Sequence, residues 1–290
     1  MKNNLKIIFL GNPDFALPAL EALVKEKYQI VGVVTAPDKP TGRKQILTPP
    51  PVKVLAQKHG LAIYQPKDKT ELLEIIKKLQ PDLAVVTAFG MIFPKEVLNI
   101  PKYGFINVHP SLLPRWRGPT PIQTAILNGD EETGVSLFLI DEEMDHGPIL
   151  AKRELEFPIS NFQFPILSQK LAELGADLLI ETLPKYINGE IKPQAQDESQ
   201  ATYTKKFSTQ DAYIEPKDLE IAQEKGGDKA IEIERKIRAL NPEPGTFTLS
   251  LSKGGLKRTK LLEAKIIDEK LKITKIQVEG KKPQNICGVE

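Results

Sequence analysis

The chain has 290 residues, 40% of them hydrophobic and 27% charged, which excludes a disordered or membrane-embedded protein, and the length favours two domains with a core each. Its single cysteine, Cys287, excludes a disulfide within the chain, argues against a cysteine-based zinc site and suits a reducing cytoplasm. The net charge is only +2, but residues 251–290 hold ten Lys and Arg against five acids, leaving +5 there and −3 elsewhere; such a module suits a polyanion, although a solvated lysine-rich face is the commoner meaning of that composition.

The first half alternates short apolar runs with helical patterns, the signature of βα units around a parallel sheet. Lys6 to Leu10 reads as the first strand, and the apolar run around it is far too short to span a membrane. Gly11-Asn12-Pro13 follows, where a dinucleotide-binding protein would carry its glycine-rich fingerprint. The second glycine is missing and Pro13 removes an N–H, so Gly11 is read as a turn residue and a nicotinamide cofactor is disfavoured. Phe15 to Lys25 has helical spacing with Asp14 as its N-cap, and Gln29 to Thr35 is the next strand. Gly42-Arg43-Lys44, flanked by Pro37, Pro40 and Pro49 to Pro51, reads as a long basic loop without an apolar face, the kind that carries binding function. Helices are expected at Val52 to His59, opened by Pro51, and at Glu71 to Leu79, with strands at Leu83 to Thr87 and Phe105 to Val108. His59, just before Gly60, suits a solvent-exposed helix end.

The stretch from Asn107 to Gly118 carries the most information. Strand side chains alternate with period two, so Asn107 and His109 point to one face at the carboxyl end of a strand, where ligands bind in open α/β sheets. Thr133 to Ile140 and Pro148 to Glu156 read as further strands, and between them lies Met144-Asp145-His146-Gly147-Pro148. Asp145 there is either a turn residue or a partner that orients the His109 imidazole and favours its charged form. Ile166 to Ile187 has a long helical pattern interrupted by Pro184. The polar run 192–207 lacks apolar periodicity and is taken as the interdomain connection. Beyond it, Ile231 to Leu240 is a helix braced by Glu234 and Arg238 at i,i+4 and ended by Asn241-Pro242. Phe247 to Leu251, Leu256 to Ile267 and Leu271 to Val278 are strands of a small, mainly β domain.

Asn107, His109, the run Ser111-Leu112-Leu113-Pro114 and Asp145 resemble the folate-dependent formyltransferases. Within that family, Arg115-Trp116-Arg117-Gly118, Pro121-Ile122-Gln123, Pro37-Asp38-Lys39-Pro40 to Gly42-Arg43, and the run Ile233 to Pro242 resemble the enzymes acting on methionyl-tRNA. The likeness covers nearly the whole chain; Pro110 and His146 depart from the family pattern without removing a catalytic group, and the run Gln284 to Glu290 departs from the family's usual terminal segment, so the last strand or helix of the small domain is expected to be altered or truncated. The resemblance implies a Rossmann-like formyltransferase domain with a mainly parallel sheet over 1–191, a linker over 192–207, and a small OB-like β-barrel over 208–290 that binds tRNA.

It also implies a monomeric cytoplasmic enzyme that uses 10-formyltetrahydrofolate as donor, methionyl initiator tRNA as acceptor and no metal. By the same resemblance, Asn107, His109 and Asp145 are catalytic. Ser111, Leu112, Leu113 and Pro114 line the folate site, Phe89, Gly90 and Met91 flank its pterin ring, and Arg43 and Lys44 lie in a tRNA-contacting loop. The acceptor amine is itself the nucleophile, so Asn107 and a protonated His109 are expected to stabilise the oxyanion, with Asp145 holding His109 charged or taking the amine proton. Two alternatives stay open: a formyltransferase acting on glycinamide ribonucleotide or an amino sugar nucleotide, and a non-catalytic RNA-binding relative.

Overall fold

The computed structural model describes residues 5–286, apart from 43, 157, 158, 160, 161, 253 and 254. Arg43 and Cys287 therefore lie outside the described residues. In chain order the elements are β1 (Lys6–Gly11), α1 (Leu17–Lys25), β2 (Gln29–Val34), β3 (Lys39–Thr41), β4 (Ile46–Thr48), α2 (Pro51–Lys58), β5 (Ile63–Tyr64), α3 (Lys69–Leu79), β6 (Leu83–Thr87) and α4 (Lys95–Leu98). They continue with β7 (Phe105–His109), α5 (Pro121–Asn128), β8 (Gly134–Leu139), β9 (Ile149–Glu154), α6 (Phe164–Ile187), α7 (Pro216–Glu224), α8 (Asp228–Leu240), β10 (Phe247–Ser252), β11 (Gly255–Ile267), β12 (Lys270–Val278) and β13 (Gln284–Asn285).

Seven strands form one sheet in the order β5-β2-β1-β6-β7-β8-β9. The first five run parallel, as continuous apolar runs such as the fully buried β6 require, and β8 and β9 are added antiparallel. One face packs Ile8, Leu10, Val34, Ala84, Val86 and Phe105 against Leu72 and Ile76 of α3 and Val97 of α4. On the other face Gly175 of α6 lets the helix approach Val108 of β7 and Val135 of β8; a Cβ at 175 would lie 2.6 Å from Val108 Cγ1. Val108 thus faces α6, and its neighbours Asn107 and His109 face away from it.

The described residues form two compact units, one drawn from 5–118, 133–156 and 168–203, the other from 119–132, 159–167 and 204–286. In the second, α7, α8 and a four-stranded antiparallel meander, β10-β11-β12-β13, enclose a core of Ile214, Ala222, Ala230, Ile233, Ile237, Leu261, Leu271 and Ile273. Arg238 binds Glu234 at 2.8 Å, the expected i,i+4 pair, and also donates to the carbonyls of Ile159 and Phe162.

Several local expectations need correction. Asp14 does not cap α1: a 3₁₀ turn over Asp14–Ala16 precedes the helix, whose N-cap is Ala16, because Pro18 suits the first turn without a side-chain cap. Helix α6 runs through Pro184 for a further turn rather than breaking there. The basic loop is a β-hairpin, β3 with β4, and it does carry apolar residues: Ile46 and Leu47 are 61% and 62% exposed. Two strands of three residues each are too short to register as a period-two pattern. Finally, the polar run read as a linker divides: Gln194 pairs with Ile149 on β9, and the residues up to Tyr203 belong to the first unit.

Candidate active site

The carboxyl ends of β1, β2, β6 and β7 lie side by side, and Asn12 ties three of them together. Its side chain donates to the Phe89 carbonyl and accepts from Thr35 Oγ1 at 3.1 Å and from the Ala36 N–H at 2.7 Å. The turn after β1 is therefore a brace for the loop at Phe89, a role that the missing fingerprint glycine gave no hint of. In that loop Phe89 is buried and stacks on Phe93 at 5.9 Å, Gly90 is exposed with φ 79 and open space where a Cβ would be, and Met91 packs on the core below. The loop thus offers an apolar wall and a main chain that a flat ligand can approach closely.

Asn107 sits on β7 between Val86 of β6 and Phe138 of β8, half-buried. Among the described residues its side-chain amide has no hydrogen-bond partner, so both of its donors are free for a ligand. His109, 4% exposed, ends the strand with both ring nitrogens directed. Nε2 lies 3.0 Å from the Trp116 carbonyl, which can only accept, so Nε2 carries a proton. Nδ1 lies 3.7 Å from Asp145 Oδ2. The same carboxylate oxygen accepts the Gly118 N–H at 2.7 Å. Trp116 (φ 60) and Asp145 (φ 50) both hold the left-handed conformation that non-glycine residues avoid, and such residues gather at functional sites.

The loop from Ser111 to Gly118 is built from the inside. Ser111 is 1% exposed and its hydroxyl donates to the Arg115 carbonyl at 2.6 Å, so its side chain is taken up within the loop. Ser136 Oγ, fully buried on β8, accepts from the Leu113 N–H and donates to the Ser111 carbonyl. Leu113 is buried, while Leu112 and Pro114 are partly exposed. Thr202 binds the far side: its hydroxyl accepts the Trp116 N–H at 2.9 Å and its carbonyl accepts the Arg117 N–H at 2.8 Å. Lys44 is exposed on the turn of the β3–β4 hairpin. At the hairpin's root Lys53 binds Asp38 at 2.7 Å and Gln65 at 3.0 Å, and Lys53 holds the Asp38 carboxyl below its usual range.

Arg117 is 1% exposed, and all five of its N–H donors are used: two to Gln196 Oε1, two to the Glu198 carboxylate and one to Tyr203. The Glu198 carboxylate raises the guanidinium pKa, and Arg117 in turn lowers that of Glu198. Next to Asp145, His146 Nδ1 lies 2.6 Å from Asp141 Oδ2, a hydrogen bond that raises the imidazole pKa against the opposing effect of burial. The structure thus brings His109 and Asp145 together and puts Asn107 on the face of His109. Residues that sequence reasoning missed, Asn12, Gln196 and Thr202, act through bonds between side chains and main chain, which leave no periodic trace in a sequence.

The formyl transferase family model matches residues 5–183. A methionyl-tRNA formyltransferase of Chloroflexus aurantiacus is 47% identical over 247 residues, covering 84% of this chain and 76% of the relative. Among solved structures, a methionyl-tRNA formyltransferase from Clostridium thermocellum superposes with a TM-score of 0.61 at 20% identity, covering 95% of this chain and 98% of that one. HypX from Aquifex aeolicus in complex with tetrahydrofolic acid superposes with a TM-score of 0.66 at 19% identity, covering 92% of this chain and 39% of its own. At these identities the two structures speak for the fold alone, whereas the family match over residues 5–183 and the curated relative over 84% of the chain speak for the family. The chain belongs to the formyl transferase family and, within it, to the methionyl-tRNA formyltransferases.

Proposed function

We propose that the protein transfers the formyl group of 10-formyltetrahydrofolate to the α-amino group of methionyl initiator tRNA, and that Asn107, His109 and Asp145 carry the reaction. The observation that bears most weight is the buried His109 with its Nδ1 3.7 Å from Asp145 Oδ2, beside the free amide of Asn107 on the same strand face. The donor supplies an activated formyl carbon. The loop at Phe89, Gly90 and Met91 and the run Ser111 to Pro114 fit a flat, partly apolar group: one presents buried aromatic and open main chain, the other a rigid turn.

A free α-amino group has a pKa of about 7.7–8.0, so near neutral pH little is needed to make it nucleophilic. As it attacks, negative charge grows on the formyl oxygen, and the Asn107 amide donates to it in a water-poor site. His109 Nε2–H is held by the Trp116 carbonyl. Turning it to the oxyanion gives up a neutral hydrogen bond with a net value of about 0.5–1.5 kcal/mol and gains a charge-assisted one of roughly twice the strength. Asp145 takes the amine proton, directly or through water, and the folate nitrogen receives that proton as its bond to the formyl carbon breaks, which returns Asp145 to its carboxylate form. The 3.7 Å separation suits a catalytic hydrogen bond that tightens only in the substrate complex.

The β3–β4 hairpin, with Lys44 at its turn, and the basic strands of the second unit supply the acceptor's phosphate contacts, to which Arg43 adds its charge. A steady-state assay offering charged initiator tRNA, glycinamide ribonucleotide and an amino sugar nucleotide in parallel tests this reading. Formylation of the tRNA alone is expected; preference for either small acceptor, or no transfer to any, refutes it.

A further inference from the structure

The run from Lys192 to Ser208 has no catalytic role in the reading above, yet one of its side chains reaches the main chain of the proposed catalytic aspartate. Gln196 Nε2 donates to the carbonyls of Asp145 and Gly147, each at 2.8 Å. Its Oε1 accepts from Arg117 Nε at 3.0 Å and from Nη2 at 2.8 Å. A primary amide has two donor hydrogens and two acceptor lone pairs, and here all four are engaged. The amide can sit only one way round, because guanidinium groups only donate and carbonyls only accept.

We infer that Gln196 is a positioning residue that fixes the Asp145 main chain, and through it the carboxylate, against the buried Arg117. The inference rests on the assignment of Asp145 made above. Asp145 occupies φ 50, a conformation that persists only where the surroundings over-determine it. Gly147 closes the same turn so tightly that a Cβ there would lie 1.8 Å from the Leu139 carbonyl oxygen. Between these two points the chain needs an external anchor, and Gln196 supplies it at both carbonyls. The anchor is itself immobile: Arg117 is 1% exposed and is held also by Glu198 and Tyr203. One residue past Arg117, the Gly118 N–H binds Asp145 Oδ2 at 2.7 Å. The main chain and the carboxylate of Asp145 are therefore both referred to the Arg117–Gly118 segment.

Two variants separate this role from simple support of Arg117. Q196E keeps the oxygen that Arg117 binds but replaces the donor with an oxygen facing two carbonyls; Q196M has similar length and neither arm. The expected result is a fall in kcat on the order of 10- to 100-fold for both, as for a reacting group displaced by about 1 Å. The KM for the formyl donor should stay at its wild-type value in both variants, with each folded at the assay temperature. Wild-type kcat in Q196E, or in Q196M should the new carboxylate unfold the turn, overturns the proposal, and so does a KM that rises in step with the loss of kcat. D145N, measured alongside, isolates the underlying assignment. If D145N is inactive and Q196E fully active, only the role of Gln196 fails; if D145N is fully active, the role of Asp145 fails and this one with it.

Discussion

His146 shows how closely two neighbouring side chains can differ in their surroundings. Asp145 turns inward to Gly118 and His109, whereas His146 binds Asp141 at 2.6 Å and has Glu198 within 3.5 Å. Its hydrogen bond to Asp141 raises its pKa. For a group raised in the folded state, the stabilisation is complete below the unfolded value, about 6.5, and disappears as pH rises through the folded value. Asp141→Asn should therefore lower the His146 midpoint in an NMR titration and flatten that part of the stability–pH curve; an unchanged midpoint would mean that Glu198 and Glu143 hold the charge instead. At this scale the sequence was informative where side chains follow backbone periodicity. Asn107 and His109 share a face because strands alternate. The contact of His109 with Asp145 could not be read, since 35 residues of chain lie between them and loop closure leaves no pattern.

The element that holds β7, the strand of the proposed catalytic residues, in place is α6, through the close approach at Gly175. Gly175→Ala sets two effects against each other: the helix gains up to about 1 kcal/mol in propensity, and the new Cβ, 2.6 Å from Val108 Cγ1, brings an overpacking cost of roughly 1–3 kcal/mol. The second is larger, so denaturant melts should show net destabilisation, and kcat should fall because Val108 lies between Asn107 and His109. A stabilised variant would show that the helix can shift away without strain. The long elements, β1, β2, β6, α3 and α6, were legible because each buries a stripe or a whole run of apolar residues. Helix α3 in fact begins two residues earlier than its apolar pattern, since Asp68 caps it by accepting from the Thr70 and Glu71 N–H groups. Helix α7 escaped notice: it is nine residues long and among them fully buries only Ala222.

At the scale of the whole molecule, the basic balance of residues 251–290 becomes a specific arrangement. Lys265 on β11 lies directly opposite Lys272 on β12, both exposed. Like charges so placed destabilise a sheet by roughly 0.2–1 kcal/mol, a cost that a bound polyanion removes. K265Q/K272Q should melt slightly higher, bind charged tRNA more weakly, and lose affinity with salt less steeply, the slope falling by about 0.7–0.9 for each phosphate that is no longer neutralised. An unchanged slope would make the pair part of a solvated face. Deleting the basic segment is a poorer test, because α5, with Ile122, Ala125 and Ile126 buried, belongs to the same unit although it lies far earlier in the chain. The sequence suggested a second body but gave no sign of α5 or of its place in that body: an eight-residue helix carries too short a pattern to show itself, and even a clear apolar face does not say which core supplies its partner. The most direct measurement is single-turnover formyl transfer from 10-formyltetrahydrofolate to methionyl initiator tRNA, by the full chain and by its N107A, H109A and D145A variants at matched folding. A site built on these three residues predicts rapid N-formylmethionine formation by the wild type and a loss of roughly 10²- to 10³-fold for removal of an oxyanion donor, with a comparable loss for Asp145. A variant that transfers the formyl group at the wild-type rate would contradict it.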